Sequence, residues 1–440
     1  MKHFISILLI LALILTGCHL DNRSSDSETD TVEDPTEDFS GIDYQVIDTG
    51  QTTYFNDTSE MSEAPSSGED FYGQDAGYSG KGFSFSLENN NYTVYDENTG
   101  LHWMRGPNSD LSAPLASDKL SYDDALDYVD DMNNQEYAGF SDWRLPTVKE
   151  LYSLIDFSGE DISNYSGTST DGLIPFIDTD YFNFDYGELD AGERLIDSQY
   201  LSATIYVQDP GDMGYTIYFG VNFADGRIKG YEGMLGGEDK TFFVQLVRGN
   251  TKYGTNNFTN NGDGTVTDSA TGLMWSQDDS GSGMNWKEAL AWAETKNTAS
   301  YNGYSDWRLP NAKELQSIVD YSHAPSYDGK PAIDTDYFNC TEITNEENES
   351  DYPWYWTGTT HISSGGTGST ANYICFGRAL GYSSSLGYYD VHGAGCQRSD
   401  PKYTDFSEYT YLTNGYYNSS APQGDVIRMN NYVRLVRDAD

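Results

Sequence analysis

The apolar and polar positions of this chain follow a pattern that is written twice. From Tyr92 to Asp96, and again from Thr265 to Asp268, β-branched or aromatic residues alternate with polar ones. Each run stops at a turn, Thr99-Gly100 or Thr271-Gly272, and is followed by Leu101-His102-Trp103 or Leu273-Met274-Trp275. Period-two alternation bounded by Gly and Asn predicts paired, half-buried strands. Asn261-Gly262-Asp263-Gly264 predicts a hairpin turn ahead of the second pair. A helix is predicted next in both copies. Ser121 with Asp124, and Asn285 with Glu288, place a capping side chain three residues before an acid. Leu126 with Val129, and Leu290 with Ala293, are expected to share its apolar face. A second helix starts at Thr147 or Asn311, where Glu150 or Glu314 completes a capping box. Its apolar stripe is Leu151, Leu154 and Ile155, or Leu315, Ile318 and Val319. Strands are predicted again at residues 200–204 and 354–359, and closing strands at 243–248 and 432–437.

Between the two helices lies the longest match. Gly139-Phe140-Ser141-Asp142-Trp143-Arg144-Leu145-Pro146 is mirrored by Gly303-Tyr304-Ser305-Asp306-Trp307-Arg308-Leu309-Pro310. Proline forces the preceding residue into extended geometry, so the block reads as a turn aiming the second helix at a sheet. A repeat this long reports one fold used twice. Trp103, Trp143, Trp275 and Trp307 are expected to be structural, because a tryptophan buries a large apolar area. Arg144 and Arg308 are expected to hold a carboxylate, with Glu150 and Glu314, or Asp142 and Asp306, as partners.

Composition changes the picture at the N-terminus. Lys2 precedes an apolar run, Phe4 to Leu15, too short to span a bilayer. The run ends in Leu15-Thr16-Gly17-Cys18, which resembles a bacterial lipobox, with Cys18 as the lipidated residue. The resemblance implies a membrane-anchored lipoprotein, with His19 favouring the outer membrane. From His19 to Ser66 there are thirteen acidic residues and one basic residue. Such a segment reads as a solvated, disordered tether. The domain map is therefore 1–17 signal peptide, 18–66 tether, 67–250 first module and 251–440 second module. The whole chain carries 70 acidic and 24 basic residues, a net charge of -46. This argues against nucleic acid, whose phosphates need clustered Lys and Arg, and against simple electrostatic binding of sulfated glycans. A salt-adapted solubility shell is the expected reading, with a cation-binding surface as the alternative.

The G-L-x-W stretches at Gly100 and Gly272, the S-D-W-R-L-P blocks and the V-x-L-V-R closing strands resemble the Lcl C-terminal domain family. The resemblance covers about residues 85–250 and 255–440. It implies a cell-surface adhesion or carbohydrate-recognition role, because the family takes its name from a glycan-binding bacterial adhesin. The W-R-L-P-[TN]-x-x-E-L run is also similar to formylglycine-generating enzymes, whose fold is a variant of the C-type lectin-like fold. The implied class is α+β: two tandem C-type-lectin-like modules, each with two helices on twisted antiparallel strands. The acidity of this chain departs from the basic surface expected for binding sulfated ligands, so the specific ligand is not carried over.

An enzyme is not expected. The first repeat has no cysteine, His102, His323, His361 and His392 lack metal-type spacing, and no nucleophile elbow, P-loop or dinucleotide fingerprint is present. An enzyme of the formylglycine-generating type is the third reading, after recognition and after an envelope-assembly component that binds a protein. The second repeat carries the polar loops, at residues 361–368 and 388–400. Arg378, Asp390, His392, Gln397 and Arg398 are the candidate ligand contacts, since binding residues concentrate in loops on a rigid scaffold. A structural role for the same loop stands level with that reading. No cofactor is expected. Calcium on Asp178, Asp180, Asp334 and Asp336 is the alternative to helix-turn capping by Asp178 and Asp334. The expected partners are a glycan or an envelope protein, and a membrane through the lipid. Cys340, Cys375 and Cys396 allow one bridge and one leftover thiol, with the pairing open.

Overall fold

A computed structural model describes residues 41–207, 216–403, 405–412, 414–419 and 423–439. The signal segment, Cys18 and the first part of the predicted tether lie outside these residues. Each repeat opens with a small antiparallel sheet. In the first repeat its strands are Phe85–Glu88, Thr93–Asp96, Leu101–Met104 and Val247–Gly249, in that order. In the second they are Phe258–Asn260, Thr265–Asp268, Leu273–Ser276 and Val436–Asp438. Equivalent positions pair alike: Val94 opposes Trp103, and Val266 opposes Trp275. Asn261 to Gly264 form the predicted hairpin turn. The closing strand of each repeat returns to its opening sheet, so each copy is tied shut by its own end.

Four helices follow the predicted caps: α1 (Tyr122–Asn134), α2 (Val148–Ser153), α3 (Trp286–Thr298) and α4 (Ala312–Ser317). Thr147, Asn285 and Asn311 each close a reciprocal capping box, and Ser121 accepts from Asp124 N. One expected face is wrong. Leu126 is 45% exposed, while Ala125 and Met132 are buried. The inward stripe runs through 125, 128, 129 and 132, at helical spacing, and Leu126 lies about 100° off it. In α3 the expected Leu290 and Ala293 are both buried.

The two repeats do not form separate bodies. Strands Gln199–Ile205, Ile217–Asn222 and Arg227–Glu232 join Gln397–Pro401, Thr367–Cys375 and Trp354–Ser363 in one six-stranded sheet. The strand order reads alike from either edge, with each repeat's third strand at the centre. The join is the pairing of Ile228 with Gln397. One apolar core, holding Trp103, Phe219 and Ile228 as well as Trp275, Trp356 and Ile374, runs through both repeats. The expected boundary at 250/251 therefore divides the sequence but not the core. A three-stranded half-sheet would leave an open edge of unpaired N–H and C=O groups, and edge pairing removes it.

The short helices meet across the same axis. Lys149 on α2 donates to Ser317 O at the end of α4 (2.7 Å), and Lys313 on α4 donates to Ser153 O at the end of α2 (2.9 Å). Each ammonium thus satisfies carbonyls that the other helix leaves unpaired. Burial pulls Lys149 down to about 8 and Lys313 to about 7.

The tether expected to reach residue 66 ends earlier. Tyr44, Val46, Ile47 and Phe55 are all buried. Asp43 N and Tyr44 N donate to Ala270 O, and Gln51 bonds both N–H and C=O of Thr360 in the central sheet. The acid-rich average of the segment hides a sparse set of apolar side chains that find pockets on the body.

Candidate binding surface

The shared signature builds scaffold, by the same bonds in both copies. Trp143 Nε1 donates to Tyr137 O (3.0 Å) and Trp307 Nε1 to Tyr301 O (2.8 Å). Asn133 and Asn297, ten residues upstream, clamp both N–H and C=O of these tryptophans. That clamp was missed in sequence, although both copies carry Asn at equal spacing. Arg144 forks onto Glu150, and Arg308 onto Glu314. The aspartates take other partners: Asp142 binds Arg248 (2.6 Å) and Asp306 binds Arg437 (2.8 Å), the arginines of the closing strands. Trp103 and Trp275 are fully buried.

Asp178 and Asp334 sit in capping turns. Their side chains accept from Asp180 N (3.0 Å) and Asp336 N (2.9 Å), and their carbonyls accept from Phe182 N and Phe338 N. Among the described residues no group of three or more His, Cys, Asp or Glu is arranged to hold a metal ion.

The repeats differ where their second and third long strands connect. In the first, residues 224–226 make a short turn. In the second, residues 377–395 form an excursion carrying the hairpin Leu380–Ser383 and Gly387–Asp390. Beside it stands a three-stranded sheet of Thr410–Leu412, Gly415–Tyr417 and Val426–Ile427, linked by a bridge between Gly381 and Asp425.

The five candidate ligand contacts lie at the base of this excursion, where internal bonds occupy them. His392, 2% exposed, bonds Asp425 (2.9 Å), and Arg398 pairs with the same carboxylate. Asp390 accepts from Tyr206 Oη (2.6 Å), Ala379 N and Gly393 N. Gln397 is fully buried and bonds Asn372. Arg378 donates to Ser350 O (3.2 Å) and pairs with Glu349 (3.3 Å). His392 and Gln397 cannot touch a ligand unless the loop opens, because the excursion needs polar residues beneath it to fix it to the sheet. Burial lowers His392 to about 4, and Arg398 holds Asp425 well below the usual carboxylate range against burial.

The hairpin and the three-stranded sheet carry two groups of aromatic rings, together called the tyrosine layer, of which only Tyr388 lies in a loop singled out from sequence. Tyr382 meets Tyr388 (5.2 Å between centroids) and Tyr417 (4.9 Å). Tyr416 meets Tyr411 (5.0 Å) and stacks on Phe406 (3.9 Å). Tyr411 is 59% exposed. Nearby in sequence, Arg428 forks onto Glu346 and lies 4.1 Å over the Trp354 ring. The signal available in sequence was the local density of tyrosine between 382 and 417. A separate cleft of about 640 Å³ opens between the N-terminal segment and the second repeat, lined by Asp48, Asp75, Tyr78, Lys81 and Arg308 among others. Burial lifts Asp75 there to about 7.

No curated protein and no solved structure matches this chain. The Lcl C-terminal domain profile matches residues 92–248 and 264–391, two tandem regions that together span more than half of the sequence. With the signature, the capping boxes and the long strands repeating in both regions, the chain belongs to the Lcl C-terminal domain family and carries two copies of the domain.

Proposed function

We propose that this protein is a lipid-anchored recognition protein of the bacterial outer membrane, binding carbohydrate through the tyrosine layer of its second repeat. The observation that carries the reading is that layer itself: partly exposed rings gathered on and beside the long excursion of the second repeat. Tyrosine offers an apolar face for a sugar ring and a hydroxyl for its polar edge, at low entropic cost. The acid excess of the chain points to neutral or amine-bearing sugars instead of sulfated ones. The lectin-like character of each repeat is part of the same proposal, with the loops above the sheet as the binding end. An envelope-assembly role, in which the layer meets a protein, is the competing outcome.

The test is a glycan array probed with residues 19–440, followed by titration of any hit against Tyr411→Ala and Tyr416→Ala. Loss of about 1–3 kcal/mol per ring, without a lower melting temperature, supports the reading. An empty array, together with one specific envelope protein recovered by cross-linking, replaces it with the assembly role.

A further inference from the structure

We propose that Cys375 and Cys396 form a disulfide that braces the neck of the 377–395 excursion and so fixes the tyrosine layer it supports. Only the value of that layer rests on the reading above; the bond does not. Cys375 ends the strand Thr367–Cys375, and Cys396 immediately precedes Gln397–Pro401. Cys375 N donates to Cys396 O (3.0 Å), and Gly395 N donates to Cys375 O (2.7 Å). The two sulfurs are 3.4 Å apart, and both residues are fully buried. Opposed residues on antiparallel neighbours have Cα atoms about 4.5–5.5 Å apart, inside the range a disulfide spans.

The first repeat explains why the pair occurs only once. Phe176 N donates to Phe223 O (2.8 Å) as Ala332 N donates to Phe376 O (2.9 Å), so the two strand ends correspond. Counting back from Phe223 and Phe376, Asn222 stands where Cys375 does. Arg227, which opposes Asn222, stands where Cys396 does. There the connection is the short turn 224–226, whose ends are held by the ladder itself. The second repeat threads residues 377–395 through the same neck, and a covalent clasp restores what the short turn supplies. Cys340, the remaining body cysteine, bonds Tyr355 Oη (3.0 Å) instead.

The reaction joins the two sulfurs and releases two protons and two electrons. An external disulfide, such as oxidised glutathione or an exported thiol oxidoreductase, accepts both and leaves as two thiols. Attack needs an accessible thiolate. In the folded body, burial and Cys396 push the Cys375 thiol far up. Bridging therefore belongs to folding, before the sheet closes over the sulfurs.

The test uses the full chain, refolded in a reduced and oxidised glutathione mixture, alkylated without reductant, digested and mapped by mass spectrometry. The expected result is a peptide linked through Cys375 and Cys396, with Cys340 alkylated. Amides of residues 377–395 should then exchange about tenfold more slowly than in the Cys375→Ser/Cys396→Ser double variant. Alkylation of all three body thiols, or a link through Cys340, overturns the bond. A mapped bond with equal exchange in both proteins overturns the brace. Neither readout involves a glycan, so failure of the carbohydrate reading leaves this result standing.

Discussion

A body cut at residue 67, where composition places the end of the tether, should fail as a folded protein. Removal of residues 41–66 takes away Tyr44, Val46, Ile47 and Phe55, none more than 8% exposed. Complete burial of such a side chain stabilises by about 1.5–3 kcal/mol, so the four together contribute roughly 6–12 kcal/mol. Gln51 adds two bonds to Thr360 at 2.8 and 2.9 Å, and Thr49 adds one to the buried Asp75 at 2.7 Å. Its loss also strips Lys313 of its bond to Asp48 O. Domains are stable by only about 5–15 kcal/mol in total, so the loss is comparable to the whole margin. The assay compares residues 41–440 with 67–440 by thermal circular dichroism and size-exclusion chromatography. The shorter chain should melt at least ~10 °C lower or elute as aggregate. Equal melting within about 2 °C would refute the claim that the segment belongs to the core.

Two further outcomes follow from the ion pairs. Arg308→Met and Arg144→Met should each destabilise in chemical denaturation, because each leaves a buried glutamate unpaired, Glu314 at 9% and Glu150 at 2% exposed; about 3–5 kcal/mol is expected for each, and a loss below about 1 kcal/mol at both contradicts the pairing. Burial lowers His392 to about 4 in the folded state, so between about pH 6.5 and 4 the unfolded chain binds a proton that the folded one refuses, and stability falls as pH drops through that window. The stability difference between wild type and His392→Gln should therefore move toward the variant by about 3 kcal/mol from pH 7 to 4; a pH-independent difference means that folding leaves the proton affinity of His392 unchanged and refutes the claim.

The local grammar of the repeat was legible in the sequence. Capping boxes at Thr147, Asn285 and Asn311, the strand pairs ending at Trp103 and Trp275, and the Arg–Glu forks depend on residues within about ten positions of one another. Such contacts appear directly in spacing. The candidate ligand contacts lie at the base of the excursion, with their polar groups engaged in anchoring it. His392 and Gln397 are polar, and sequence cannot distinguish a polar group facing solvent from one anchoring a loop from below. Tyr382 and Tyr417 become neighbours only when two small sheets stand side by side, so tyrosine density marked the region but no local spacing marked the pair.

Alone, the sequence determined that one α+β unit is used twice, because duplication and period-two or helical spacing are properties of neighbouring residues. Only the tertiary structure decided that the copies share one sheet and one core, that Tyr44 to Phe55 belong to that core, and that Cys375 faces Cys396. Each of these depends on which edges and pockets meet across hundreds of residues. That choice is made by the need to pair open strand edges and bury sparse apolar side chains.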